Sequence, residues 1–191
     1  MDVYVIRHGE TDWNVEGKLQ GREDIPLNEN GILQAIECQK ALRKITFVTI
    51  QTSPLLRAKK TAEIIALPHE CPLVINYNLI ERDYGRLSGL TPLERQIVER
   101  QEYPTEVEPW DVLALRAYNT VQNLAKLYPQ GSVAVVSHGA WINALLAVVS
   151  NRKVGTGKTK LKNACINLLR KESSGWKIGF LNLTAEELRY C

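Results

Sequence analysis

The 191-residue chain holds only three histidines, and two of them share one context. His8 follows the run Val3-Tyr4-Val5-Ile6 and Arg7, His138 follows Val133-Ala134-Val135-Val136 and Ser137, and each precedes a glycine, Gly9 or Gly139. Such short β-rich runs read as buried strands. Both imidazoles are therefore predicted at strand ends, where open α/β sheets gather their ligands. Arg7 sets a guanidinium beside the first imidazole. Arg57 falls in the first turn of a predicted helix, where the positive end of the dipole disfavours a cation unless an anion lies nearby. Two arginines and two histidines around one locus would repel each other without an anion. Phosphate is the natural candidate, because its charge and accepting oxygens match arginine forks and ring N–H donors.

One of the two imidazoles could attack phosphorus, forming a phosphohistidine and dividing one difficult transfer into two easier ones. That needs a neutral attacking nitrogen, with the opposite ring N–H held by a backbone acceptor. A leaving alkoxide then needs a proton. Glu81 is the candidate acid, at the start of a charge-dense stretch in which Gly85 and Gly89 let the chain turn close to a ligand; repulsion from bound phosphate favours a proton on a neighbouring carboxyl. Its plain alternative is an ion pair with Arg82 or Arg86. The third histidine, His69, lies between Pro68 and Pro72 and reads as a surface residue. Gly155-Thr156-Gly157-Lys158-Thr159 imitates the end of a phosphate-binding P-loop, but Arg152 stands where that motif needs glycine, so it reads as a flexible loop.

The elements that must position these groups alternate along the chain. Asn28 caps a helix running to near Lys44, Phe47 to Ile50 is a strand, and Ser53-Pro54 opens a helix with Ala58, Ala62 and Ile65 on one face. A strand at Leu73 to Ile75, helices at Leu93 to Arg100 and Val112 to Tyr128, the His138 strand and a helix at Ala140 to Val149 follow. Cys165 to Leu169 and Trp176 to Leu181 read as a hairpin. The expected architecture is α/β, a three-layer α/β/α sandwich with a mainly parallel sheet and an edge hairpin, in one domain over residues 1–191. Residues 79–110 form a solvated, lid-like insertion in that reading.

Composition narrows the partners. With 45% hydrophobic and 24% charged residues, collagenous, coiled-coil and disordered classes drop out. A net charge of +3 without a dense basic stripe argues against nucleic acid. No apolar run approaches a membrane span and no secretory signal is read, so no membrane partner and a cytoplasmic location are expected. Cys38, Cys71, Cys165 and Cys191 are scattered without a CxxC pair, which argues against structural zinc and a disulfide framework.

Arg7-His8-Gly9-Glu10-Thr11 with Asp12-Trp13-Asn14 resembles the signature of the histidine phosphatase superfamily, in its phosphoglycerate mutase-like branch. Leu19-Gln20-Gly21, Asp24-Ile25-Pro26-Leu27-Asn28, Thr52-Ser53-Pro54 with Arg57-Ala58, Leu79-Ile80-Glu81-Arg82-Asp83-Tyr84-Gly85 and Ser137-His138-Gly139 look like further family blocks in family order. The resemblance implies that His8 is the phosphorylated nucleophile, that Arg7, Arg57 and His138 hold the phosphoryl group, and that Glu81 donates and accepts the proton. It further implies a phosphate hydrogen bond from Asn14, substrate contacts at Gln20, Gly21, Tyr84 and Gly139, and no metal or organic cofactor. Two departures favour compact phosphatases over mutases: Thr91-Pro92 stands where mutases place a lysine, and the longer insertion with paired arginines is absent. The expectation is a phosphatase acting on a small phosphorylated metabolite, with a homodimer possible. A phosphoglycerate mutase and a catalytically idle phospho-ligand or protein-binding module are the alternatives.

Overall fold

The computed structural model describes residues 1–100 and 106–190, so Glu102 of the charged stretch and Cys191 lie outside the described residues. Six strands form one sheet in the order β3-β2-β4-β1-β5-β6: β1 Asp2–Arg7, β2 Phe47–Thr52, β3 Leu73–Ile75, β4 Ser132–Ser137, β5 Ile166–Glu172 and β6 Gly175–Leu183. The first four run parallel; β5 pairs antiparallel with β1, and β6 completes the edge hairpin. The described helices are α1 Asp12–Val15, α2 Glu29–Leu42, α3 Leu56–Ala66, α4 Pro92–Arg100, α5 Trp110–Leu127, α6 Gly139–Val149 and α7 Ala185–Leu188, with 3-10 turns at Tyr77–Leu79 and Gly85–Leu87.

Alternation along the central strands divides the core between the two faces. Val3, Val5, Val133 and Val135 pack with α5 and α6, while Ile6, Ala134 and Val136 pack with α2 and α3. Helix α6 is apolar nearly all round because it is sunk into the first layer: Trp141, Ile142, Leu145 and Leu146 are buried, each contributing about 1.5–3 kcal/mol or more through burial. That burial anchors the helix whose first turn faces the site.

Four expectations need correction. Helix α3 does not begin at Ser53-Pro54. Its N-cap is Leu55, which makes no side-chain cap bond, and the Leu56 N–H donates 2.6 Å to Asp24 Oδ1 from a distant loop. Local sequence cannot reveal a cap delivered from 32 residues away. Helix α2 stops at Leu42, short of Lys44. The 79–110 stretch is not simply solvated, since Leu79, Glu81 and Leu87 are buried and its first half forms a wall against β4 and α6. His69 is half-buried rather than on the surface, with its ring 5.0 Å from that of Phe47.

Candidate active site

The parallel ladder carries the key residues past the ends of their strands. Arg7 is in register with Ser137 and Thr52 with Val136, and beyond them the His8 N–H donates to Ser137 O at 3.0 Å and the Ser53 N–H to Val136 O at 3.1 Å. His8, Ser53 and His138 thus emerge side by side from β1, β2 and β4, and the two imidazole centroids lie 5.2 Å apart. All three are buried. A cavity of about 210 Å³ opens here, lined among others by Arg7, His8, Asn14, Gln20, Gly21, Arg57, Glu81, Tyr84 and Gly139. It is smaller than the roughly 300–1,000 Å³ of drug-sized pockets, which suits a phosphoryl group with a short substituent. A larger groove of about 670 Å³ between α2 and α7 shares none of its lining with this site.

His8 Nδ1 sits 2.6 Å from Gly9 O, so Nδ1 donates its proton there and Nε2 is left unprotonated as the free lone pair. Burial, then the charges of Arg57 and Arg7, hold the His8 pKa well below its ordinary 6.5, which keeps the ring neutral. The same causes, with His8 itself among them, depress His138. His138 Nε2 lies 2.7 Å from Ser53 Oγ, while its Nδ1 is buried without a partner.

The Arg57 guanidinium is buried as well, and Arg7 is half-buried. Arg57 is 1% exposed; its Nη1 and Nη2 donate to Glu23 O at 2.7 Å and Gly21 O at 2.8 Å, and burial brings its pKa down to about 10. Arg7 donates through Nη1 to Leu161 O at 2.7 Å. The Nε of each arginine is buried and unpaired. Buried polar groups without partners are costly, about 1–3 kcal/mol each; an anion would satisfy these two donors, while Gln20 Oε1, unpaired at the same cavity, needs a donor. Asn14 Oδ1 is occupied by Thr11 and by Asn163 Nδ2 at 2.9 Å, which leaves the opposite side of its amide, Nδ2, for a ligand.

Glu81 approaches from the wall formed by residues 79–87. Oε1 accepts from the Arg82 N–H at 2.8 Å and the Trp141 N–H at 3.0 Å, and Oε2 from the Ala140 N–H at 3.1 Å. The carboxylate therefore caps α6, whose own N-cap, His138, makes no side-chain cap bond. Oε2, with one protein donor, keeps a lone pair that can carry a proton. The ion pair expected as its plain alternative is not formed with Arg82, whose Nε instead donates to Glu108 O at 2.8 Å. Tyr84 closes the other side, its hydroxyl pushed up to about 12 chiefly by burial.

The sequence-based site residues all meet at this cavity or, for His138, directly behind His8. A model of the histidine phosphatase superfamily (branch 1) matches residues 3–184. The chain belongs to this superfamily. Among its relatives, an uncharacterized phosphatase PhoE of Bacillus subtilis is 37% identical over 187 residues, covering 96% of this chain and 95% of that one. A probable phosphoglycerate mutase GpmB of Salmonella typhi is 32% identical over 190 residues, covering 92% and 87%. The solved mycobacterial glucosyl-3-phosphoglycerate phosphatase in complex with VO3 superposes with a TM-score of 0.86 at 25% identity, covering 96% of this chain and 99% of that one.

Other residues around this histidine phosphatase site were not singled out from sequence. Lys18 and Ala140 line the cavity, Asp24 caps α3, and Arg116 with Glu108 braces the Glu81 wall. Lys18 adjoins the Leu19-Gln20-Gly21 block, which was its only sequence signal. Arg116 had none, being one charge on an ordinary amphipathic helix.

Proposed function

We propose that the protein is a phosphomonoesterase that hydrolyses small phosphorylated metabolites through a phosphohistidine at His8. The observation that carries this reading is that Arg7 Nε and Arg57 Nε, from two arginines lining the same cavity as His8, are buried without an acceptor, as is His138 Nδ1 on the ring beside His8. A phosphoryl group would supply acceptors to all three, with Asn14 Nδ2 as a fourth donor. His8 Nε2 attacks phosphorus while Glu81, protonated on Oε2, gives its proton to the leaving ester oxygen. Water then attacks phosphorus, Glu81 takes the proton, the N–P bond breaks and inorganic phosphate leaves. In this reading the fixed cations meet the charge of the transferring group, no metal or organic cofactor is needed, and Gln20, Gly21, Tyr84 and Gly139 shape the substrate side.

Residues 1–191 act in this proposal as one domain, with residues 79–110 as the specificity-setting wall and lid. Its location is cytoplasmic and it has no nucleic-acid or membrane partner; among the described residues no helix is long and apolar enough to cross a membrane. A homodimer belongs to the same proposal, and light scattering giving a monomer mass would overturn that part.

The phosphatase relatives favour hydrolysis, and the GpmB relative together with the Glu81-Arg82-Asp83-Tyr84-Gly85 block favours mutase chemistry as the second reading. The test is turnover of p-nitrophenyl phosphate in EDTA, with a radiolabelled phosphoenzyme trapped by acid-sparing quench. Wild type should turn over and label; His8→Ala, folded by circular dichroism, should do neither. Full activity in that variant would refute the mechanism. Interconversion of 2- and 3-phosphoglycerate without phosphate release would decide for the mutase.

A further inference from the structure

The segment that ends in Glu81 is held carbonyl by carbonyl. Asn78 O accepts from Trp141 Nε1 at 2.8 Å and Arg116 Nη1 at 2.9 Å, Leu79 O from Ser137 Oγ at 2.8 Å, and Ile80 O from Arg116 Nη1 at 2.7 Å. Glu81 O lies 3.4 Å from both Arg116 Nη2 and Arg22 Nε. Arg116 is fixed in turn by Glu108, which accepts from its Nε at 3.2 Å and its Nη2 at 3.0 Å, and whose side chain is 8% exposed. Glu108 Oε2 also accepts from the Asp83 N–H at 3.1 Å, so the same carboxylate ties down the chain on the far side of Glu81.

We propose that Arg116, locked by Glu108, is a positioning residue that fixes the Glu81 carboxyl for proton transfer to the leaving group. The inference rests on the phosphomonoesterase reading and on Glu81 as its acid. The arginine is not itself part of the cavity lining; its hydrogen bonds reach the site through the backbone that carries Glu81. Its planar fork reaches successive carbonyls and a carboxylate at once, which a lysine ammonium cannot reproduce. Misplacing a proton donor by about 1 Å can cost on the order of 10²-fold, and a general acid contributes about 10²–10⁴-fold.

Proton donation matters only where the leaving group needs it, and that separates positioning from scaffolding. Wild type, Arg116→Gln and Arg116→Lys are assayed on p-nitrophenyl phosphate, whose phenolate departs without a proton, and on glycerol 2-phosphate, whose alkoxide requires one. The comparison uses kcat/KM, which reports steps up to departure of the alcohol, so dephosphorylation drops out. Arg116→Gln should lose about 10–100-fold in kcat/KM on glycerol 2-phosphate and less than about threefold on the nitrophenyl ester. Arg116→Lys should show the same split at smaller size, and decides the matter if the glutamine variant fails to fold. Equal losses on both esters, or no loss on either, would overturn the inference while leaving the proposed function standing. A wild type that hydrolyses neither ester overturns the proposed function, and this inference with it.

Discussion

His138 and Ser53 meet across the ends of neighbouring strands, Nε2 to Oγ at 2.7 Å. Ser53 was expected to cap α3; its Oγ accepts from the Leu55 N–H at 3.3 Å, just ahead of the helix, and meets the imidazole, while Asp24 supplies the bond to the helix's first residue. With the hydroxyl donating to Nε2, His138 carries its proton on Nδ1, the buried atom that has no partner within the protein. We predict that the serine selects this tautomer, the one that can donate to a phosphoryl oxygen. Ser53→Ala should fold normally and lower kcat/KM by about tenfold, the scale of one hydrogen bond worth roughly 0.5–1.5 kcal/mol. Steady-state kinetics with p-nitrophenyl phosphate measure the loss, and ¹⁵N imidazole shifts of His138 report the tautomer; unchanged shifts and rate would remove Ser53 from the mechanism.

All three imidazoles are held below their ordinary 6.5, mainly by burial and most strongly at His8 and His138, and that makes stability pH-dependent. Below pH 6.5 the unfolded chain binds protons that the folded chain refuses, so stability present above that pH is lost as pH falls toward the folded-state values. Three such groups give a slope of up to about 4 kcal/mol per pH unit. Urea denaturation from pH 7 to 5 should show it, and His8→Gln should flatten the slope by about a third to a half. Inorganic phosphate should oppose the loss, because a dianion beside the His8 and His138 rings favours their protonated forms. An identical slope in wild type and variant would contradict the burial argument.

His8, His138 and Arg57 were legible because strand-end histidines and a cation at a helix N-terminus are local patterns with physical meaning. Strand and helix order followed equally from apolar periodicity, and even the short edge strand β3 was visible. What stayed hidden was every group whose job is done at long range. Asp24 caps a helix 32 residues on, Glu81 caps α6 from 59 and 60 residues away, and Arg116 braces carbonyls more than 30 residues back. The burial of Leu79 and Glu81 was missed for the same reason. Charged residues follow them from Arg82 onward, and their neighbours in space, Ser137 and Trp141, belong to β4 and α6.

Asp24 and Arg57 clasp the loop and helix from opposite sides. Asp24 Oδ1 takes the Leu56 N–H, and Arg57 returns two bonds to Gly21 O and Glu23 O. Asp24→Ala removes a cap, a loss of about 0.5–2 kcal/mol in thermal or urea unfolding. It also frees the Gln20-Gly21 wall, so KM for small esters should rise severalfold with kcat less affected. Asp24→Asn keeps an accepting oxygen and should recover most of both. If alanine and asparagine behave alike, the cap is not what holds this wall.

Gly31 and the loop after His8 pack backbone against backbone. A Cβ on Gly31 would fall far inside contact with the Glu10 carbonyl oxygen, and one on Gly9 would meet the Gly31 carbonyl. Four hydrogen bonds cross the same junction: Asn28 N to Glu10 O at 3.0 Å, Glu10 N to Gln34 Oε1 at 2.9 Å, and Asn28 Nδ2 and Asn30 Nδ2 to Glu10 Oε1 at 3.1 and 3.0 Å. Two effects of Gly31→Ala oppose each other. Helix propensity favours alanine by about 0.5–1 kcal/mol, whereas overpacking against atoms that cannot rotate away costs about 1–3 kcal/mol. Backbone cannot yield as a side chain does, so the second effect wins and the variant should be net destabilised by about 1–2 kcal/mol in urea. Relief of the clash must push α2 away from Gly9, which carries the carbonyl that orients His8 Nδ1. Activity should therefore fall beyond what lost stability explains, at temperatures where the variant is fully folded. Leu33→Ala, two residues away on the exposed side of α2, should change neither quantity, and a Gly31→Ala protein as stable and as active as wild type would show that the close approach does not position His8.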